Sequence, residues 1–119
     1  MAGLPKKARL LKKADYNAVF SKSVKVSNSL FLILIHKTSN PNSRLGLVIS
    51  KKVDKRAVQR NRIKRIVRES FRNTKFKINC DYVILARPKI TNLANEEIFN
   101  SINGLWNQAQ YKIKQIRKK

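Results

Sequence analysis

Residues 55–72 read KRAVQRNRIKRIVRESFR and carry the clearest structural pattern in the chain. Apolar side chains recur along this stretch at spacings of three and four residues, the period of an amphipathic helix with one buried face. The pattern therefore predicts an α-helix over 57–72. The positions predicted to face the core are Ile63, Ile66, Val67, Ser70 and Phe71.

The same stretch is strongly basic. Eight of its eighteen residues are Lys or Arg, and Glu69 is its only acid. Like charges one turn apart repel each other, and cations at a helix start oppose the helix dipole. The sequence suggests no internal compensation for either cost. A phosphate backbone would relieve both, because helix N-termini bind phosphate, so we predict a nucleic-acid-binding helix rather than a solvated face.

The rest of the chain predicts a small α+β domain. Apolar runs at 30–35 and 45–50, separated by turn residues, are typical of two buried strands joined as a hairpin. We expect further strands over 23–26 and 81–87, and helices over 15–22 and 93–117. The order αβββαβα predicts a two-layer sandwich with helices on a four-stranded sheet. One domain spans 1–119, with a flexible basic arm at 1–8.

Composition narrows the function further. The 28 Lys and Arg exceed the six Asp and Glu by 22, and a field of this strength calls for a polyanionic partner. No apolar run could cross a membrane, and no signal peptide is visible, so we expect a cytoplasmic protein without membrane contact. One Cys and one His exclude a disulfide framework and a zinc site. The acids are scattered, so we expect no catalytic residue, bound metal or other cofactor on the protein.

Four segments resemble the bacterial ribonuclease P protein subunit. Arg60-Asn61-Arg62 resembles that family's RNR motif, and KKADYNAVF at 12–20 is similar to its first helix. RLGLVISKKV at 44–53 and DYVILARP at 81–88 are similar to its third and fourth strands. The four segments occur in the family's order and spacing.

The resemblance implies a fold, a partner and a reaction. The fold would be a ribosomal-protein-like domain with a left-handed βαβ crossover. The protein would bind ribonuclease P RNA, which holds the catalytic groups and uses Mg²⁺ to remove the 5′ leader of precursor tRNA by hydrolysis. We expect a monomer outside the ribonucleoprotein. The residues expected to bind the RNA subunit are Lys51, Lys52, Lys55, Arg56, Arg60, Asn61, Arg62, Lys64, Arg65 and Arg68.

The resemblance also implies a cleft for the single-stranded leader, between the first helix, the sheet and the basic helix. Exposed aromatic rings beside cations are typical of single-stranded RNA sites, although the spacing of Tyr16 and Phe20 fits core packing as well. At position 34 this chain has Leu where some relatives have an aromatic residue. The expected cleft residues are Tyr16, Phe20, Leu34, Lys64 and Arg68.

Two other functions fit the charge. One is a ribosomal protein of similar fold that binds RNA structurally, and the other is an architectural DNA-binding protein. Only a ribonuclease P subunit predicts a preference for precursor over mature tRNA that depends on the 5′ leader.

Overall fold

In a computed structural model, the chain is described over residues 4–38 and 41–117. Three helices and four strands follow one another in the order αβββαβα, which confirms the predicted α+β class. Two short 3-10 helices, Lys6–Ala8 and Ile90–Asn92, were not predicted. The helices are α1 (Lys13–Lys22), α2 (Ala57–Asn73) and α3 (Asn95–Arg117), and the strands are β1 (Val24–Ser27), β2 (Phe31–Lys37), β3 (Arg44–Val48) and β4 (Cys80–Ala86).

The strand order in the sheet is β1-β2-β4-β3. The first two neighbouring pairs are antiparallel, whereas β3 runs parallel to β4. The predicted hairpin over 30–50 is therefore wrong, because β4 lies between β2 and β3. The chain after β2 passes the start of β4 and is held there: the Asn79 side-chain amide donates to the Pro41 carbonyl at 2.9 Å, and the Cys80 amide donates to Ser43 Oγ at 3.2 Å.

A partly buried ion pair marks the parallel register of β3 and β4. Arg44 lies opposite Asp81, and its guanidinium donates to both carboxylate oxygens at 2.8 and 2.7 Å. Asp15 of α1 lies 3.6 Å from the same guanidinium. The hydrogen bonds that Arg44 donates to Asp81, followed by the charges of the two acids, raise the pKa of Arg44 against the opposing effect of burial. This cluster ties α1 to one edge of the sheet.

The two faces of the sheet are covered by different helices. Phe31, Ile33 and Ile35 of β2 join the main core with α2 and α3, and all three side chains are fully buried. The alternate residue Leu34 joins a smaller cluster with Val19 of α1, as strand alternation requires. The five positions predicted as the buried stripe of α2 are all buried, which confirms that prediction.

The predicted basic arm at 1–8 packs against the fold from its fourth residue onward. Leu4 is buried in the main core, and the Leu10 amide donates to the Leu45 carbonyl at 3.0 Å, beside a bridge between Arg9 and Leu45. Residues 1–3 lie outside the described residues.

Candidate nucleic-acid interface

The basic residues predicted to bind RNA lie along α2 and on the segment that leads into it. Lys51, Lys52, Lys55 and Arg56 are exposed before the helix. Within the helix, Asn61, Arg65 and Arg68 are exposed, whereas Arg60, Arg62 and Lys64 are half-buried along the borders of the stripe. The folded chain therefore presents these side chains on one helix and its N-terminal approach.

Asp54 compensates part of this charge at the start of α2, so the expectation of no internal compensation is wrong. Its Oδ1 accepts from the backbone amide and the Nε of Arg56, at 2.8 and 3.0 Å. Its Oδ2 accepts from Arg56 Nη2 and from the Thr91 hydroxyl, both at 2.8 Å. The Arg56 side-chain bonds, then its backbone bond, hold the pKa of Asp54 far below its ordinary value of 3.8. The carboxylate is therefore ionised at neutral pH and fixes Arg56 at the helix entry.

Arg60 stabilises the same entry from inside the helix. Its Nη1 donates to the carbonyls of Asp54 and Lys55, at 3.0 and 2.9 Å. These carbonyls precede the helix, so the bonds hold the segment that carries the first four basic residues against α2. Arg60 thereby shapes the basic surface as well as adding charge to it.

Arg62 joins α2 to the segment before α3. It donates to the Thr91 carbonyl at 2.7 Å and the Leu93 carbonyl at 3.3 Å, and to the side chains of Gln59 and Asn95. These bonds use four of the five N–H groups of a guanidinium and leave one on Nη2. Sequence patterns do not indicate this internal role, because the two carbonyl acceptors lie about thirty residues away in the chain.

The α1 side of the sheet brings together three of the five residues assigned to the cleft. Tyr16 is half-buried against Gly46, where an added Cβ would lie 2.6 Å from the ring. Phe20, one turn further along α1, is 48% exposed. Leu34 lies beneath α1 and is only 5% exposed, so it can shape this face from below but offers little surface for stacking.

Lys64 and Arg68 come from a different part of the fold. They lie one turn apart on α2, which packs against β3, α3 and the 3-10 helix at Ile90–Asn92. In contrast, α1 packs against β2 and β4. That Lys64 and Arg68 lie beside Tyr16 and Phe20 stays a prediction.

The described residues offer neither a metal cluster nor a membrane-spanning helix. Across residues 4–38 and 41–117, no three His, Cys, Asp or Glu side chains converge as a metal site would require. Within the same ranges, no helix has the length and apolar character needed to cross a bilayer.

Comparison with known proteins gives consistent matches over nearly the whole chain. The family model Ribonuclease P matches residues 4–110. The ribonuclease P protein component of Marinomonas sp. (strain MWYL1) is 47% identical over 106 residues, which cover 87% of this chain and 80% of that protein. The corresponding protein of Histophilus somni (strain 2336) is 42% identical over 105 residues, covering 87% and 88% of the two chains.

Solved structures agree with these sequence matches. The Staphylococcus aureus RNase P protein superposes with a TM-score of 0.79 at 30% identity, covering 87% of this chain and 95% of that one. The RNase P protein from Thermotoga maritima gives a TM-score of 0.73 at 28% identity, covering 87% and 96%. The family model covers the chain from Leu4 into the last helix, including α1, the four strands and the basic helix, so this chain belongs to the ribonuclease P protein family.

Proposed function

We propose that this ribonuclease P protein component, which has a role in tRNA 5′ processing, acts by binding two RNAs. Along α2 it binds the RNA subunit, and over the α1 face of the sheet it binds the 5′ leader of precursor tRNA. The RNA subunit supplies the catalytic groups and uses Mg²⁺ for hydrolysis.

The observation that carries the proposal is the basic surface of α2 and its approach. Asp54 and Glu69 are the only acids on this helix and its approach, and each is paired with an arginine, Arg56 and Arg72 respectively. Most of the remaining cations are exposed. Several phosphates neutralised together would release counterions, so this surface favours a polyanion such as RNA as its partner.

The distribution of carboxylates supports an accessory role in cleavage. Hydrolysis by a protein nuclease commonly needs acids that converge on two metal ions. Here Asp81 is paired with Arg44 inside the fold, and Asp54 is occupied at the start of α2. Glu96 and Glu97 lie in the first turn of α3, where they complement the helix dipole.

The α1 face supports the assignment of the leader. Phe20 offers about half of its surface beside the half-buried Tyr16, so an unpaired base could stack against exposed aromatic surface. A mature tRNA lacks the leader and could not use this contact. The preference for precursor tRNA would therefore depend on α1, whereas binding of the RNA subunit would depend on α2.

Cleavage of a precursor tRNA at low magnesium tests the proposal. Three reactions are compared: protein alone, a bacterial ribonuclease P RNA alone, and both together. Only the mixture is expected to cut efficiently at the mature 5′ end. A mixture no more active than the RNA alone would refute the accessory role, and cleavage by the protein alone would refute the assignment of catalysis to RNA.

A pair of double variants locates the RNA contact. Arg65→Ala with Arg68→Ala removes two exposed cations from α2, whereas Lys22→Ala with Lys37→Ala removes the same charge elsewhere. The first pair is expected to weaken binding of the RNA subunit and to flatten its salt dependence more than the second. Equal losses would show that net charge, rather than the α2 surface, determines binding.

A further inference from the structure

The C-terminal half of α3 carries a second basic surface, which lies beyond the C-terminal end of the one on α2. Tyr111 lies at its centre and is 66% exposed. On one side it borders a groove of about 720 Å³ with Lys25 and Lys112, and on the other a groove of about 450 Å³ with Lys75, Lys77 and Lys114. We call these six residues the Tyr111 surface.

The lysines of the Tyr111 surface come from three parts of the chain and are all exposed. Lys25 belongs to β1, Lys75 and Lys77 to the segment after α2, and Lys112 and Lys114 to α3. Cations near a helix C-terminus complement the helix dipole, which accounts for Lys114 in the last turn of α3 and for Lys75 just after α2. The other three lysines have no such explanation, and no acidic side chain lines either groove in the part of the chain that the structure describes.

Hydrogen bonds give the Tyr111 surface a defined shape. Lys112 Nζ donates to the Lys25 carbonyl at 2.8 Å and joins α3 to the edge strand β1. The Lys77 amide donates to Gln110 Oε1 at 2.8 Å and joins the segment after α2 to the same helix. The ring of Tyr111 therefore lies between two anchored walls.

Amide side chains add groups that could bind base edges. Asn107, one turn before Tyr111, lines both grooves, and Gln108 lines the larger one. An exposed ring, flanking ammonium groups and neutral donors and acceptors form the combination that binds unpaired nucleotides: the base stacks and the phosphates meet lysines.

The Tyr111 surface is separate from both RNA-binding regions proposed above. Ser70, near the end of α2, contacts Asn103 of α3, and Tyr111 lies eight residues further on, about 12 Å along the helix axis. The cleft assigned to the leader lies on the α1 side of the sheet, whereas α3 packs with α2 on the opposite side. One short RNA segment could not stack on both Phe20 and Tyr111.

We infer that the Tyr111 surface is an additional binding site for single-stranded RNA, with a base stacked on Tyr111 and the neighbouring phosphates held by the surrounding lysines. The inference does not depend on the leader contact at α1. Charge complementarity selects a polyanion, and the exposed ring selects unpaired bases over a duplex, whose base faces are stacked internally.

Nuclear magnetic resonance titration of the isotopically labelled protein with a five-nucleotide oligouridylate tests this inference. The ring signals of Tyr111 and the amides of Asn107 and Lys114 are expected to shift and saturate. A short RNA duplex is expected to perturb α2 but to leave the Tyr111 ring signals unchanged. The signals of residues in α2 and α1 are observed separately from those of Tyr111. Their shifts on adding RNA therefore test the function proposed above independently of this inference.

Variants at the ring separate stacking from charge. Tyr111→Ala is expected to weaken oligonucleotide binding at this surface about tenfold, the effect of losing one stacked base, whereas Tyr111→Phe keeps the ring and binds within about twofold of the parent. Unchanged binding by Tyr111→Ala, or equal losses in both variants, would overturn the stacking site.

Variants at the lysines provide a second measurement that does not depend on the ring. Lys77→Gln is expected to reduce the slope of log affinity against log salt by about 0.7 at this surface, whereas Lys37→Gln, at the end of β2, leaves it unchanged. Equal slopes would overturn the phosphate contact. Vesicles of phosphatidylglycerol that shift these signals when oligouridylate does not would assign the surface to a membrane and overturn the proposal.

Discussion

Replacing Arg62 by alanine should destabilise the fold, although this residue lies in the most basic segment of the chain. Its guanidinium makes four hydrogen bonds, two of them to the carbonyls of Thr91 and Leu93 just before α3. A hydrogen bond contributes about 1 kcal/mol net, and more when one partner is charged. Because water can reach the half-buried acceptors after the change, we expect a loss of about 2–3 kcal/mol rather than the full sum.

Arg65 supplies a matched control on the same helix. It is exposed, so Arg65→Ala removes the same charge and makes the same change in helix propensity with little loss of packing. The relief of self-repulsion in this cationic chain is similar for the two variants and cancels in the comparison. The difference in stability between them therefore isolates the internal bonds of Arg62.

Urea denaturation, followed by circular dichroism and by fluorescence of the buried Trp106, measures this difference directly. Arg62→Ala should unfold about 2 kcal/mol more easily than Arg65→Ala, which corresponds to a melting temperature lower by about 8 °C in a domain of this size. Equal stabilities of the two variants would refute the internal role of Arg62, and the sequence-based view of it as a surface cation would stand.

Three further predictions test other parts of the structure. Gly46→Ala should lower the free energy of unfolding in urea by about 1–3 kcal/mol, because the added Cβ would meet the Tyr16 ring. Gly104→Ala has open space around it and should raise that free energy by about 0.5–1 kcal/mol. Equal effects would contradict the close packing of α1 on β3. The pKa of Asp54 is lower in the folded state, so this carboxylate stabilises the fold above its ordinary pKa of 3.8 and progressively less as the pH falls below that value. The difference in stability between the parent and Asp54→Asn should therefore narrow below about pH 4. A constant difference would exclude this linkage. Phe20→Ala should leave the melting temperature nearly unchanged, because the ring is half exposed. In a binding titration it should reduce the preference for precursor over mature tRNA about tenfold. An equal loss of affinity for the RNA subunit would count against a leader contact.

Local patterns predicted the elements well because each depends on neighbouring residues. The bounds of α2 differ by one residue from those predicted, and its buried stripe is the predicted one. The pairing of strands was not predictable in the same way. Closeness in sequence favoured a hairpin between β2 and β3, but β4 lies between them through contacts that join residues nearly forty positions apart, such as Arg44 with Asp81.

The candidate site shows the same division between local and long-range information. Helical periodicity alone places Asn61 and Arg65 on the side of α2 that faces away from its buried stripe, and both side chains are exposed. It could not show that Arg62 reaches the chain before α3, or that Leu34 lies beneath α1. Both facts depend on how distant segments pack, and a single sequence contains no direct signal of that packing.

The arginines of the Arg60-Asn61-Arg62 motif differ in kind from those that follow. Arg60 holds the approach to α2 and Arg62 holds the entry to α3, so each keeps a second segment in place. Charge alone would not require arginine at these positions, because lysine carries the same charge. A guanidinium is required because its planar N–H groups can bond several carbonyls at once and still leave a donor for phosphate. Arg62→Lys should therefore keep the net charge yet lose both stability and RNA affinity, whereas Arg65→Lys should preserve both.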